Sequence, residues 1–90
     1  MALIKEIEEE DTGTILNYHR IQDVSSIINS HISIVVFSYV SEKARELETK
    51  GKMPYKRVKT YELGYKENIT IEECYNYLKT LDEFKDAIDD

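Results

Sequence analysis

The sequence predicts a single α+β domain over residues 1–90: an antiparallel β-meander of three to four strands, a short helix after the third strand, and a C-terminal helix packed on the sheet. Three observations predict it. Residues 31–40, "HISIVVFSYV", are dense in β-branched and aromatic side chains. Residues 71–81 instead carry Ile71, Cys74, Tyr75, Leu78 and Leu81 at helical spacing, one apolar stripe that needs a sheet to cover. Finally, 90 residues with 41% hydrophobic and 33% charged composition suit one core and no more.

The first strand is expected over residues 2–8, with Leu3 and Ile7 on one parity and Ile4 on the other. "EDTGT" follows, where Asp11 and Gly13 supply the chemistry of a hairpin turn. A second strand starts near Thr14, with Leu16 and Tyr18 on one face and Ile15 and His19 on the other. Ile21 and Val24 fall on opposite parities, so the pattern calls for a bulge within residues 22–25.

Asn29 and Ser30 make the next turn. In the strand that follows, Ile32, Ile34 and Val36 point one way and Val35, Phe37 and Tyr39 the other, so both faces are apolar and both need covering. At residues 41–52 the period changes. Ser41 is the expected N-cap, Ala44 and Leu47 are spaced by three, and Gly51 is the stop of a short, mostly solvated helix. The last strand spans about residues 55–63, where Tyr55, Arg57, Lys59, Tyr61 and Leu63 alternate with Val58 and Thr60, and Pro54 at its entrance suits a strand start or an edge. Thr70 and Glu73 form a capping box for the final helix, and Asp82 is placed to cap a further turn through Phe84 and Ala87.

Charge narrows the function. A net charge of -6 disfavours nucleic acid as a partner, because phosphate neutralisation needs a surplus of Lys and Arg. The distribution is uneven: Lys43, Arg45, Lys50, Lys52, Lys56, Arg57 and Lys59 face only Glu46 and Glu48 in the middle of the chain, while residues 6–11 and 82–90 are acidic. The longest apolar run, residues 34–37, is far too short for a membrane span. No basic and apolar leader is apparent, and the single cysteine permits no internal disulfide, so synthesis in a reducing cytoplasm is expected.

Candidate chemistry is sparse. Cys74 lies on the apolar stripe and reads as a small hydrophobe rather than a nucleophile. His19 and His31 have no Cys or carboxylate at ligand spacing, so both read as strand surface, and no metal is expected. The acidic stretch 8–11 lacks a calcium-loop pattern and reads as a solvated turn. Gly13, Gly51 and Gly64 stand alone and form no phosphate-cradling loop. No enzyme activity, cofactor or small-molecule substrate is therefore expected.

Seven tyrosines are more informative, since Tyr is enriched where proteins meet. Tyr55, Tyr61 and Tyr65 interleave with Lys56, Arg57 and Lys59, a pattern shared by nucleic-acid faces and by a sheet face whose rings pack under a helix beneath basic stems; the second is the expectation, with protein contact as the use of whatever stays exposed. Lys52, Tyr55, Arg57 and Lys59 are the expected protein-interaction residues.

Four phrases, in order, resemble a family: "MALIKEI", "NYHRI", "SYVSEKAREL" and "YLKTLDEFKDAIDD" are similar to small structural proteins encoded among the tail and baseplate genes of bacteriophages and prophages. The resemblance spans nearly the whole chain, and the stretch "ETKGKMPYK" is longer here than in that pattern. It implies a virion-associated tail or baseplate component, made in the bacterial host and working by contact with other phage structural proteins, as a homo-oligomer. It further implies framework roles for Tyr18, Ile21, Tyr39, Ala44, Arg45, Leu78, Leu81, Phe84 and Ala87. The competing expectation is a small acidic phage-encoded regulator or inhibitor that binds a host protein.

Overall fold

The structure, a computed structural model, describes residues 2–90. Each expected strand forms. They are β1 (Leu3–Glu8), β2 (Ile15–Ile27), β3 (His31–Tyr39) and β4 (Lys56–Gly64), joined by helix α1 (Glu42–Thr49) after the third and followed by α2 (Ile71–Leu78). A 3₁₀ turn (Asp82–Phe84) and a fifth strand, β5 (Ile88–Asp89), complete the fold. All neighbours are antiparallel, in the order β4-β3-β2-β1-β5.

Local chemistry sets the corners. Gly13 takes φ 71°, and the β1–β2 turn closes through Glu9 N–H to Thr14 O and Gly13 N–H to Glu9 O, both 2.8 Å. Asn29 sits at φ 60° between β2 and β3, a left-handed position that its short polar side chain tolerates. The Ser41 hydroxyl accepts from Ala44 N–H to start α1. Gly51, at φ 82°, ends it: its N–H bonds Glu48 O while Lys52 N–H bonds Leu47 O at 3.0 Å, the paired bonds of a Schellman motif.

The bulge appears where the parity conflict places it. Ile21 opposes Val36 and Asp23 opposes Val35, so Gln22 is the extra residue and Val24 returns to the same face as Ile21. A second irregularity lies between Ile4 and Ile7 in β1.

The two sheet faces are covered differently. On the inner face, Leu3, Ile32, Ile34 and Val36 pack with Cys74, Tyr75, Leu78 and Phe84 in one buried cluster, flanked by Ile7, Ile21, Val24, Tyr61, Leu63, Ile69 and Leu81. Each such side chain contributes about 1.5–3 kcal/mol through burial. On the outer face α1 covers only the end of β3, where Tyr39 and Ala44 are buried. Val35 and Phe37 are half-buried, so the second apolar face of β3 is covered at one end.

Four expectations need correction. Ile71, the first residue of the eight-residue α2, is exposed. Leu81 lies beyond that helix and precedes the 3₁₀ turn, which Asp82 does not cap. At Thr70 the hydroxyl accepts from Glu73 N–H at 3.1 Å as a cap should, but the Glu73 carboxylate turns to Lys66 and to the Thr70 hydroxyl. His19 is fully buried rather than on the surface.

Candidate functional site

The basic segment meets the rest of the protein on both faces of β4. The register with β3 sets Arg57 opposite Ser38, Lys59 opposite Val36 and Tyr61 opposite Ile34, so these three look inward. Lys56, Val58, Thr60 and Glu62 look outward.

Inside, one carboxylate gathers the odd-numbered residues. Glu83, carried on the 3₁₀ turn, accepts from Lys59 Nζ at 3.1 Å and from the Tyr61 hydroxyl, and lies 3.8 Å from Arg57 Nη2. The Arg57 side chain is mostly buried, and its Nε and Nη2 have no hydrogen-bond acceptor. Arg57, Lys59 and Glu83 line an open-sided cleft of about 410 Å³ with Ile7, Glu8, Glu10 and Asp11. β1 and β4 are not neighbours in the sheet, so a shared cleft means that the sheet curls around the core.

Outside, Glu48 on α1 is the hub. It accepts from the Tyr39 hydroxyl, Arg45 Nη1 and Lys56 Nζ, each at 2.8 Å, with Arg20 Nη2 3.6 Å away. The Lys56 hydrogen bond, opposed by desolvation and helped by the Tyr39 hydroxyl, pulls the Glu48 carboxyl down to about 2. Lys56 and Arg20 also lie 4.3 and 5.3 Å from the Phe37 ring centre, so cations cover that half-buried aromatic.

No family model, curated protein or solved structure matches this chain. Its residues alone therefore carry the functional reading.

Of the four expected interaction residues, Arg57 and Lys59 come together at Glu83. Tyr55 is about half exposed and donates its hydroxyl to Glu9 on the β1–β2 turn, a contact that raises its pKa. Lys52 is exposed in the loop before β4, beside Met53, which is 97% exposed. The structure thus ties three of the four to acidic groups of the same chain and leaves Lys52 outside that set. Sequence reasoning missed Glu48 and Glu83 as organisers. Glu48 had a local signal, its position three residues after Arg45 on a helix. Glu83 had none, since its partners lie more than twenty residues away.

The buried polar pair is a second feature that spacing did not reveal. His19 Nε2 is 2.7 Å from the Lys5 carbonyl, which can only accept, so Nε2 carries the proton. Nδ1 then accepts from the Ser38 hydroxyl at 2.7 Å. Burial pushes the His19 pKa down, against the Lys5 carbonyl, which favours the charged ring. The imidazole edge meets Phe84 at 5.2 Å, so His19 is structural, locking β1, β2, β3 and the 3₁₀ turn together. Cys74 is also buried, which raises its thiol pKa and withholds the thiolate. Among the described residues, no helix is long and apolar enough to cross a membrane, and no cluster of His, Cys, Asp and Glu is arranged to hold a metal ion.

Proposed function

We propose that this protein is a small phage or prophage structural component of a tail or baseplate that acts by protein contact. The observation that carries the contact reading is the set of large apolar side chains left outside a filled core. Met53, Ile28, Ile88 and Val58 are 97%, 75%, 67% and 56% exposed, while the inner face is closed by α2 and Phe84. Of these, Met53 and Val58 flank Tyr55 at the start of β4 while Ile28 lies at the other end of the sheet, so it is the Met53–Val58 stretch that carries the reading. The assignment to a virion rests on the four phrases that resemble tail and baseplate proteins.

In this reading Lys52 and Tyr55 belong to the assembly surface directly, and Arg57 and Lys59 support it through Glu83. Charge sets register there, and apolar area supplies most of the binding free energy. Mass spectrometry of purified particles tests the proposal: a structural component copurifies with virions at fixed stoichiometry. Absence from particles, together with capture of a host protein from infected cells, would replace this reading with that of an acidic regulator. Alanine at Lys52, Tyr55, Arg57 and Lys59 together is expected to lower incorporation, and normal incorporation would remove these residues from the surface.

A further inference from the structure

β4 ends the sheet, and among the described residues no strand lies beside its outer edge. In an antiparallel ladder, alternate residues turn their N–H and C=O toward one neighbour and the rest toward the other. The Tyr77 hydroxyl donates to Glu62 O at 2.8 Å, which identifies the even-numbered residues as the outward set. Lys56, Val58 and Thr60 therefore offer backbone donors and acceptors to the edge, while Glu62 O is already engaged by Tyr77, so the Val58–Thr60 pairs at the centre carry the ladder.

Edge strands are normally guarded by proline, by bulges or by charges that repel a second strand. Between Lys56 and Gly64 there is no proline, and the nine pairs with β3 run without a shift. The cations that would repel are already matched, Lys56 by Glu48 and Lys59 by Glu83. Val58, the third residue of the strand, remains 56% exposed.

The strand is also complementary to itself. If two copies run antiparallel about an axis through Lys59, Lys56 stands opposite Glu62 of the partner subunit and Val58 opposite Thr60 of the partner subunit, and symmetry repeats both pairs. The β-branched Val58–Thr60 pairs then face each other, the arrangement that stabilises cross-strand neighbours, while Lys56, held by Glu48, and Glu62, beside His31, set no like charges opposite one another. The two Lys59 residues meet at the axis with their ammonium groups drawn aside toward Glu83.

We propose that the β4 edge docks a second copy of this chain, extending one continuous antiparallel sheet across a two-fold axis at Lys59. Two-fold dimers use the same patch twice, so one self-complementary strand is sufficient. The inference deepens the contact reading above, but self-association of purified protein is measured without virions, so either can fail alone.

Light scattering after size exclusion, at tens to hundreds of micromolar, is expected to give the mass of a dimer. Val58→Pro removes an outward N–H that β3 does not use, so it is expected to abolish the dimer while leaving the circular dichroism of the monomer unchanged. Register is tested by cysteine. Lys59→Cys places two thiols at a closely spaced pair on the axis and is expected to give a disulfide-linked dimer on mild oxidation, whereas Glu62→Cys, opposite Lys56, is not. A wild-type monomer throughout that range, a dimer that survives Val58→Pro, or cross-linking through Glu62→Cys instead of Lys59→Cys each overturns the proposal. Should Val58→Pro fail to fold, the cysteine pair decides alone.

Discussion

Replacing Phe84 with alanine tests whether the segment after α2 belongs to the cooperative core. Phe84 is fully buried in the main cluster, with its ring 5.2 Å from His19 and 5.8 Å from Tyr61, both edge-on. Burial of the ring is worth about 1.5–3 kcal/mol, and each edge-on contact adds roughly 0.5–1.5 kcal/mol. The sum, about 2.5–6 kcal/mol, brackets the ~3–5 kcal/mol typical of Phe→Ala in a core, with the upper end reached if the cavity does not collapse. In a domain whose whole stability is on the order of 5–10 kcal/mol, that is a large share. Urea titration followed by circular dichroism should show the midpoint fall with an unchanged slope, and the thermal midpoint should drop by at least roughly 12 °C. Phe84→Leu, which keeps most of the volume, is expected to cost under ~1.5 kcal/mol. A loss below about 1 kcal/mol for Phe84→Ala would mean that the 3₁₀ turn merely rests on the sheet, and the argument that it positions Glu83 for Arg57 and Lys59 would go with it.

Four further outcomes are expected. Because the folded His19 pKa lies below its ordinary value of about 6.5, the unfolded chain binds the proton first. Stability is then complete above that pH and declines as pH falls through and below it, by up to ~1.4 kcal/mol per pH unit. Denaturation of wild type and His19→Gln between neutral and mildly acidic pH should show this slope only in the wild type. Glu48 works in a lower window: its carboxyl titrates near 2, so its contribution is present above the ordinary carboxylate range and is lost as pH falls toward 2. Glu48→Gln should cost about 1–2 kcal/mol at neutral pH after allowance for solvent screening, with the gap to wild type closing in acid; an undiminished gap in acid would contradict it. Tyr75→Phe withdraws the hydroxyl that accepts from Ile21 N–H at 2.9 Å beside the bulge, and a chemical denaturation curve should show a loss of about 1–3 kcal/mol. Cys74 should resist a thiol reagent in native buffer and react at a rate that tracks unfolding; rapid labelling of folded protein would show the helix stripe to be open.

How far the sequence could be read depended on the distance over which each signal acts. The period of β3, the Ser41 cap, the hydroxyl half of the Thr70 cap, the Gly51 stop, the Asn29 turn and a bulge within residues 22–25 are all written within a few residues, and each stands in the fold. β5 was not legible, because two residues carry no period and the strand exists only by pairing Ile88 with Ile4 and Asp89 with Leu3. His19 looked like strand surface because its partners, the Lys5 carbonyl and Ser38, come from other strands. The stripe on α2 was visible, yet how much of it is covered was decided by packing, which buries Cys74, Tyr75 and Leu78 and leaves Ile71 exposed.

The candidate site follows the same division. Alternation alone places Arg57, Lys59 and Tyr61 on one side of β4, and composition alone makes the segment basic. Only the tertiary structure brings Glu83 beneath them and Glu48 above Lys56, converting a run of free cations into two matched clusters. The sequence by itself determined the four long strands, the two helices and their order, since these follow from backbone periodicity and capping. Which charges are matched, which polar groups are buried and which edge stays open were decided by packing, because each depends on groups that meet only when distant parts of the chain close around the same core.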